Sequence, residues 1–352
     1  NLGILFKEKT EFTTAISFFN KALNISKNDY KILNNLGLCY VSKGQFKIAH
    51  NYYNEALKVK PDFVEVYSNI GILLLDQNKT SEAESTFKKG LNIDPNNLTT
   101  LWNLIGTVTN LNSAKSILKQ CVSINKKHFK SKALLSLLEA YEGNRTMYES
   151  LNSPKEKNHP ITRSIKWFLT LPNKPKLYFN RWHFFDELCL EAESNRPFYE
   201  FGVWKGSSFK HLIKTFKKGY GFDTFTGLPE NWHHEKIGTY SSDGNIPSIK
   251  GGNFIKGEFK DSLPKFFETK RPMASIINFD ADLYSSTKCA LENSDPVIDG
   301  KTILIFDEFI VNENWEQDEY KALNEFCSEK NYSYDVIGVS FFTKQVAVKI
   351  NK

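Results

Sequence analysis

Residues 36–61 read LGLCYVSKGQFKIAHNYYNEALKVKP, and this pattern recurs with a period of 34 residues. The matching copies begin at Leu2-Gly3 and at Ile70-Gly71. Small, aromatic and proline residues keep their places after the glycine; in the middle copy they are Tyr40, Ala49, Tyr53, Ala56 and Pro61. Small residues let two helices approach closely, and proline ends a helix. Self-similarity at this spacing predicts stacked helix pairs over the first part of the chain.

The repeated Leu-Gly-x-x-Tyr, Ala-x-x-x-Phe and Pro positions resemble the tetratricopeptide repeat (TPR). A fourth unit with a shortened turn follows over residues 102–125, and a capping helix is expected over residues 131–141. The resemblance implies a surface for a protein partner or for self-association, and a mere folding spacer is the alternative. We expect a TPR-like helical domain over residues 1–141, followed by a linker and connecting helix over residues 142–180.

From residue 181 onward, short apolar strands alternate with helices. This alternation predicts a doubly wound, Rossmann-like sheet over residues 181–352, mostly parallel, with seven strands and an antiparallel last strand. In such a sheet, ligands bind beyond the carboxyl ends of the strands, where the strand order reverses. The predicted fold class is therefore α plus α/β: a helical solenoid followed by a doubly wound sheet.

The loop after the first long strand reads Glu200-x-Gly202-x-x-x-Gly206. It is neither the GxGxxG fingerprint of dinucleotide sites nor the GxxxxGK[ST] loop that cradles phosphates. An acidic residue on this strand suits a cationic ligand better than a pyrophosphate. Asp223 ends the next strand and is placed to accept hydrogen bonds from two ribose hydroxyls. A nucleoside with a positively charged tail, S-adenosylmethionine (SAM), satisfies both features.

These residues resemble class I SAM-dependent methyltransferases, and later strings resemble the macrocin O-methyltransferase (TylF/MycF-like) family. That family methylates sugar hydroxyls with a divalent metal, and the similarity covers about residues 182–349. The strings are Phe222-Asp223-Thr224-Phe225, Gly257-Glu258-Phe259, Asp280-Ala281-Asp282-Leu283-Tyr284 and Phe306-Asp307-Glu308.

The resemblance implies a role for each matching position. Four residues would surround the methionine part of SAM: Glu200, Gly202, Gly206 and Ser207. Asp223 would hold the ribose with Thr224 and Phe225 nearby, and Gly257 and Glu258 would border the adenine. Asp280, Asp307 and Glu308 would hold Mg²⁺ or another divalent cation, and Asp282 would be the general base. Where this chain has Glu308, the family usually has a second aspartate.

Composition and charge exclude several other classes. The net charge of +6 over 352 residues is a mild excess that does not indicate nucleic-acid binding. No apolar stretch approaches the roughly 20 residues that span a bilayer, so no membrane association is expected. The five cysteines are scattered, which favours a reducing cytoplasmic compartment. Because the chain begins within a repeat, we expect it to be part of a longer protein.

Two other functions remain open at this stage. A metal-dependent glycosyltransferase is one, because Asp-x-Asp is a metal–nucleotide-sugar motif in many of these enzymes; the early glycine loop and Asp223 would then have no task. A non-catalytic TPR interaction protein is the other, although the loop and the acidic residues are all present. A SAM-dependent O-methyltransferase with a small-molecule sugar or glycoside acceptor explains more of the residues than either.

Overall fold

The computed structural model describes residues 2–233 and 235–352. The chain forms two compact units. The first consists of the residues up to Thr107 together with Thr226–Asp243, and the second of Val108–Phe225 together with Gly244–Lys352. Within the described ranges, no helix is both long enough and apolar enough to cross a lipid bilayer.

The first unit contains the predicted helix pairs. Its helices are α1 (Leu2–Glu8), α2 (Phe12–Ile25), α3 (Tyr30–Ser42), α4 (Phe46–Val59), α5 (Val64–Asp76), α6 (Thr80–Ile93) and α7 (Leu98–Leu104), followed by a 3₁₀ turn at Ile105–Thr107. Helices α4 and α6 end two residues before Pro61 and Pro95, as the repeat pattern predicts. Because proline lacks an amide hydrogen, it marks each boundary between repeats.

The repeats are held together by one packing motif that recurs every 34 residues. Gly37 lies against the ring of Tyr53, and Gly71 lies against the ring of Phe87. A Cβ atom added at Gly37 or Gly71 would come within 2.3 or 2.2 Å of the ring. Each buried ring therefore fills the space that the missing side chain leaves, which explains why glycine and an aromatic residue recur together.

The second unit begins with helices and continues into the sheet. The helices before the sheet are α8 (Leu111–Ile124), α9 (Phe129–Tyr141), α10 (Thr146–Glu149), α11 (Pro154–Lys157) and α12 (Pro160–Thr170). The segment predicted as a linker thus holds two single-turn helices. Ser153 caps α11 through a reciprocal pair of hydrogen bonds with Glu156, a local signal that orders this turn.

The described part of the chain forms one sheet of eight strands. They are β1 (Lys176–Leu177), β2 (Phe198–Phe201), β3 (Gly219–Asp223), β4 (Gly252–Lys256), β5 (Ile276–Phe279), β6 (Ile303–Phe306), β7 (Ser333–Val339) and β8 (Val346–Asn351). Their order is β1-β7-β8-β6-β5-β2-β3-β4, and β8 runs antiparallel to both of its neighbours. The doubly wound fold and the antiparallel last strand are confirmed. The seven strands predicted over residues 181–352 are β2 to β8, and the additional two-residue strand β1 lies before them, in the segment predicted as linker and connecting helix.

Five further helices cover the sheet. They are α13 (Arg181–Glu191), α14 (Ser207–Phe216), α15 (Phe259–Phe267), α16 (Tyr284–Ser294) and α17 (Glu319–Lys330). A 3₁₀ turn at Trp315–Gln317 precedes α17, and the helical backbone is interrupted at Asp318 between them. Strands β2, β5 and β6 are buried along their whole length, as expected for parallel strands covered on both faces.

Candidate active site

The candidate site lies where the strand order reverses. From β2 the chain crosses to β3 on one side, while β5 pairs with β2 on the other. The predicted residues follow the carboxyl ends of five neighbouring strands: Glu200, Gly202, Gly206 and Ser207 after or on β2, Asp223, Thr224 and Phe225 at β3, Gly257 and Glu258 after β4, Asp280 and Asp282 after β5, and Asp307 and Glu308 after β6. The topology therefore brings all of them to one edge of the sheet.

Gly202 allows the loop after β2 to pass close to the end of β5. Its φ is +90°, and an added Cβ would lie 1.8 Å from the carbonyl oxygen of Asp280. The amide of Asp280 in turn donates to the carbonyl of Phe201 at 2.8 Å. The atoms nearest to that Cβ, the carbonyl oxygen and carbon of Asp280, belong to the backbone. No other residue therefore fits at position 202 unless the loop moves. Gly206 ends the loop with φ +72° and directly precedes α14.

Asp223 fixes the same loop from the other side. Its Oδ2 accepts hydrogen bonds from the amides of Val203 at 2.8 Å and Trp204 at 2.7 Å. Its Oδ1 accepts from the amide of Phe225 at 2.6 Å. An ionised carboxylate has about four lone-pair positions, so these three bonds leave room for one more donor. Most of the acceptor positions of this carboxylate are therefore used to hold the backbone of the loop, and few remain for a ribose.

Glu200 is a fully buried carboxylic acid on β2. Its Oε1 accepts from the side-chain amide of Asn278 at 2.9 Å, across the β2–β5 pair, in which the two residues are in register. Its Oε2 has no hydrogen-bond partner among the described residues. Burial raises the pKa of Glu200 to about 7, although the nearby Ser208 hydroxyl, the Asn278 amide and the positive charge of Arg181 oppose the rise. A buried acid with an open oxygen has the chemistry to bind a cation.

The remaining predicted cofactor residues lie at the same edge with different exposures. Gly257 donates its amide to the carbonyl of Asp223 at 3.0 Å, which ties β4 to β3. Phe225 is buried, whereas Ser207 is exposed at the first position of α14. Glu258 is exposed, and its carboxylate pairs with Lys260 at 2.7 Å. The Glu258 side chain is thus engaged in an ion pair at the surface.

Asp282 lies in the turn between β5 and α16, with a left-handed φ of +60°. Aspartate tolerates this region better than most residues, yet the conformation still costs about 1 kcal/mol or more. The next amide, of Leu283, donates to the carbonyl of Ala281 at 2.6 Å and closes the turn. Asp282 is thus a half-buried acid fixed in a tight turn directly after β5.

Asp280 and Asp307 are joined by an arginine that the sequence reading did not single out. One guanidinium nitrogen of Arg181, Nη2, lies 2.9 Å from Oδ1 of Asp307 and 3.4 Å from Oδ2 of Asp280. Gln345 donates to the same Oδ1 of Asp307 at 2.6 Å. Burial and the nearby Asp307 raise the pKa of Asp280 well above its usual value, and Arg181 opposes this rise.

Glu308, the third predicted metal ligand, is directed elsewhere. Its Oε2 accepts from Lys344 Nζ at 2.8 Å and from Asn312 Nδ2 at 2.7 Å. In the ranges that the structure describes, no three His, Cys, Asp or Glu side chains are grouped to hold a metal ion. Asp280 and Asp307 therefore meet at Arg181 while Glu308 is bound to Lys344 and Asn312, and with the guanidinium between the two aspartates the three acids do not form the divalent-cation site that the resemblance implies.

Two residues of this region escaped the sequence analysis. Arg181 begins α13, whose sequence is typical of an apolar packing helix. Its partner Asp280 lies 99 residues later in the chain, and no local pattern connects the two. Glu319 is fully buried; its Oε2 accepts from the amide of Glu308 at 3.0 Å, and burial raises its pKa well above the usual value. Glu319 begins α17 and follows no strand, so the strand-end pattern did not single it out.

Comparison with solved structures finds likenesses that each cover part of the chain. The structure titled O-methyltransferase NovP is 16% identical, with a TM-score of 0.38, and covers 49% of this chain and 80% of its own. The calicheamicin methyltransferase CalS11 is 18% identical, with a TM-score of 0.38, and covers 63% and 93%. YrrB, titled a TPR protein with an unusual peptide-binding site, is 19% identical, with a TM-score of 0.35, and covers 47% and 89%. No curated protein sequence matches the chain.

Two family models match the first unit. Both are described as tetratricopeptide repeat, and they match residues 30–63 and 64–97. These ranges contain the helix pairs α3–α4 and α5–α6, in which Gly37 and Gly71 meet their aromatic partners. The TPR repeats predicted from the 34-residue period are confirmed.

Proposed function

We propose that the second unit is a SAM-dependent O-methyltransferase that acts on a hydroxyl group of a sugar or glycoside, as in the macrocin O-methyltransferase family that its motifs resemble. The TPR repeats of the first unit would bind a protein partner or another copy of the chain. A cytoplasmic location stays a prediction from the scattered cysteines, all five of which are free thiols.

The observation that carries this proposal is the buried carboxylate of Glu200. It lies at the switch point beside the Gly202 loop, and its Oε2 is without a hydrogen-bond partner in the described residues. An ammonium group, such as that of the methionine part of SAM, supplies both the charge and the donor that this oxygen needs. A pyrophosphate would instead place negative charge against a buried acid. The residues present therefore fit SAM better than a dinucleotide or a nucleotide sugar.

Asp223 and the glycine loop prepare this site rather than react in it. By holding the amides of Val203 and Trp204, Asp223 fixes the path of the loop before any ligand arrives. We assign the ribose contact to the one acceptor position of Asp223 that its backbone bonds leave open. Gly257 would border the adenine through its backbone, since its amide is tied to β3.

The chemical step then needs a base and alignment. When bound, SAM would supply a methyl group activated by its positively charged sulfur, and SAH would leave as the methyl carbon bonds to the acceptor oxygen. Asp282 accepts the proton that the acceptor hydroxyl loses, and a positioned base of this kind contributes roughly 10²–10⁴ in rate. Glu200 lies on β2 and Asp282 in the turn after the neighbouring β5, so the edge of the sheet favours a fixed geometry for transfer.

The test is methyl transfer from methyl-labelled SAM to a panel of monosaccharides and alkyl glycosides, followed by mass spectrometry. We expect product with the wild-type chain and a turnover lower by about 10²–10⁴ in Asp282→Asn. Binding of S-adenosylhomocysteine (SAH) should be unchanged in that variant. Asp62→Asn removes an exposed acid of the first unit and serves as the matched control with normal turnover.

Two results would contradict the proposal. Equal turnover in Asp282→Asn and wild type would remove Asp282 from the chemistry. If the folded protein binds a nucleotide sugar and does not bind SAH, the glycosyltransferase alternative would be favoured.

A further inference from the structure

The three acids expected to bind a metal ion all carry a partner from this chain. Arg181 bridges Asp280 and Asp307 through Nη2, at 3.4 and 2.9 Å. Lys344 pairs with Glu308 at 2.8 Å. The negative charge that a divalent cation would neutralise is therefore already balanced by the side chains of Arg181 and Lys344.

Arg181 is well placed to keep this position. It is the first residue of α13, after the N-cap Asn180, whose side chain accepts from the amide of His183 at 2.8 Å. Its guanidinium also lies about 6 Å from the ring centres of Trp182 and Phe185. A planar guanidinium suits two carboxylates and an aromatic surface better than a lysine does, because its donors are fixed in one plane.

The pair that Arg181 bridges is only partly open to water. The side chain of Asp307 is 10% exposed, that of Asp280 30% and that of Arg181 32%. Two carboxylates this close repel one another unless a positive charge lies between them, and the repulsion grows as water is excluded. Gln345 also donates to Asp307, so the Oδ1 atom that faces Arg181 already contacts two nitrogen donors.

We infer that Arg181 is the resident cation of this acidic site, and that a divalent metal ion reaches Asp280 and Asp307 only by displacing its guanidinium. The inference deepens the proposed function and rests on it for the meaning of the site. It departs from the Mg²⁺ that the family resemblance implies. In this chain the acids would hold their geometry without a metal ion, and metal binding would be weak.

The experiment is calorimetric titration of Mn²⁺ alone into the full chain, without SAM. We expect weak binding by the wild type and binding at least about tenfold tighter in Arg181→Gln, because removal of the guanidinium leaves two carboxylates uncompensated. The gain should disappear in the double variant Arg181→Gln, Asp307→Asn. Circular dichroism and thermal melting establish that each variant is folded. If Arg181→Gln does not fold, Arg181→Lys takes its place and should bind Mn²⁺ at least about threefold tighter, since a lysine bridges two acids poorly.

Lys344→Gln is the matched control, because it removes a cation from Glu308 and leaves the Arg181 bridge intact. We expect less than about a threefold change in Mn²⁺ affinity for this variant. The inference is overturned if wild type and Arg181→Gln bind Mn²⁺ equally, or if Lys344→Gln gains as much as Arg181→Gln. Since no SAM is present, these outcomes are independent of whether the protein binds SAH, so the inference and the proposed function can fail separately.

Discussion

Glycine serves two different purposes in the two units of this protein. In the TPR unit, Gly71 makes room for a side chain, the ring of Phe87, and an added Cβ would lie 2.2 Å from that ring. In the sheet unit, Gly202 makes room for backbone, the carbonyl of Asp280, at 1.8 Å from an added Cβ. A ring can tilt, whereas a paired strand end cannot. Gly71 thus allows two helices of a repeat to pack, whereas Gly202 allows the loop of the candidate site to approach the end of β5.

The largest expected effect comes from Gly202→Ala. The new methyl group would overlap the carbonyl of Asp280, and the alanine backbone would have to adopt a φ of +90°. We expect the free energy of unfolding to fall by about 3–5 kcal/mol, the sum of overpacking and backbone strain. Urea unfolding measures this change. Gly300→Ala is the control, because nothing lies within 4 Å of a Cβ there, and its effect should stay within about 0.5 kcal/mol. Equal midpoints for the two variants would refute the close approach.

The second effect is a pH dependence that the sheet unit should show through Glu200. Burial raises the pKa of this acid from 4.5 to about 7. Between these values the folded state binds the proton more tightly than the unfolded state does, so stability is greatest below pH 4.5 and falls as the pH rises toward 7. The total change for this group is about 3 kcal/mol.

Glu200→Gln should make this slope shallower and raise stability at pH 7.5, since an amide bears no charge to bury; Asp280 and Glu319, whose pKa values burial also raises, keep the remainder of the slope. Chemical unfolding at several pH values measures the slope, with the same series on Glu258→Gln, an exposed acid, as control. An unchanged slope in Glu200→Gln would exclude Glu200 as its source.

The third effect probes the scaffold. Gly71→Ala gains helix propensity of about 1 kcal/mol but forces the buried ring of Phe87 to move, so we expect a net loss of about 1–3 kcal/mol. SAH binding should be unchanged. Gly90→Ala, in the next helix, brings its Cβ no closer than 3.2 Å to a neighbouring atom and should change stability by less than about 1 kcal/mol. If Gly71→Ala were as well tolerated as Gly90→Ala, the recurrent glycine–ring contact would not explain the repeat.

The smallest effect is the loss of a helix cap in the scaffold. Asp29 accepts hydrogen bonds from the amides of Lys31 and Ile32 at the start of α3. Asp29→Ala should cost about 1 kcal/mol. Asp62→Ala, at the exposed turn before α5, removes an acid with no capping bond at that helix and should be neutral. A thermal melt of both variants decides the point, and equal shifts would contradict the capping role.

How much the sequence foretold differs between the two regions for a physical reason. The glycine–ring contacts join residues 16 apart in the chain, so a fixed period exposes them. The loop Gly202–Gly206 and the strand-end acids were also found, because strand–helix alternation places them at one edge. The bridge from Arg181 to Asp280 and Asp307 spans 99 residues or more, and no local pattern records it. Likewise, the three backbone bonds of Asp223 follow from the fold of the loop and are invisible in the spacing.

The central claim, that the switch point of the sheet is a SAM site, is tested most directly by calorimetric titration of SAH into the wild-type chain at pH 8. Glu200→Gln is titrated beside it, with Gly300→Ala as the folded control. We expect saturable binding to wild type and Gly300→Ala, and binding at least about tenfold weaker in Glu200→Gln, because the ammonium of SAH loses its charged partner. A folded wild-type protein that binds no SAH, or an equal affinity in Glu200→Gln, would contradict it.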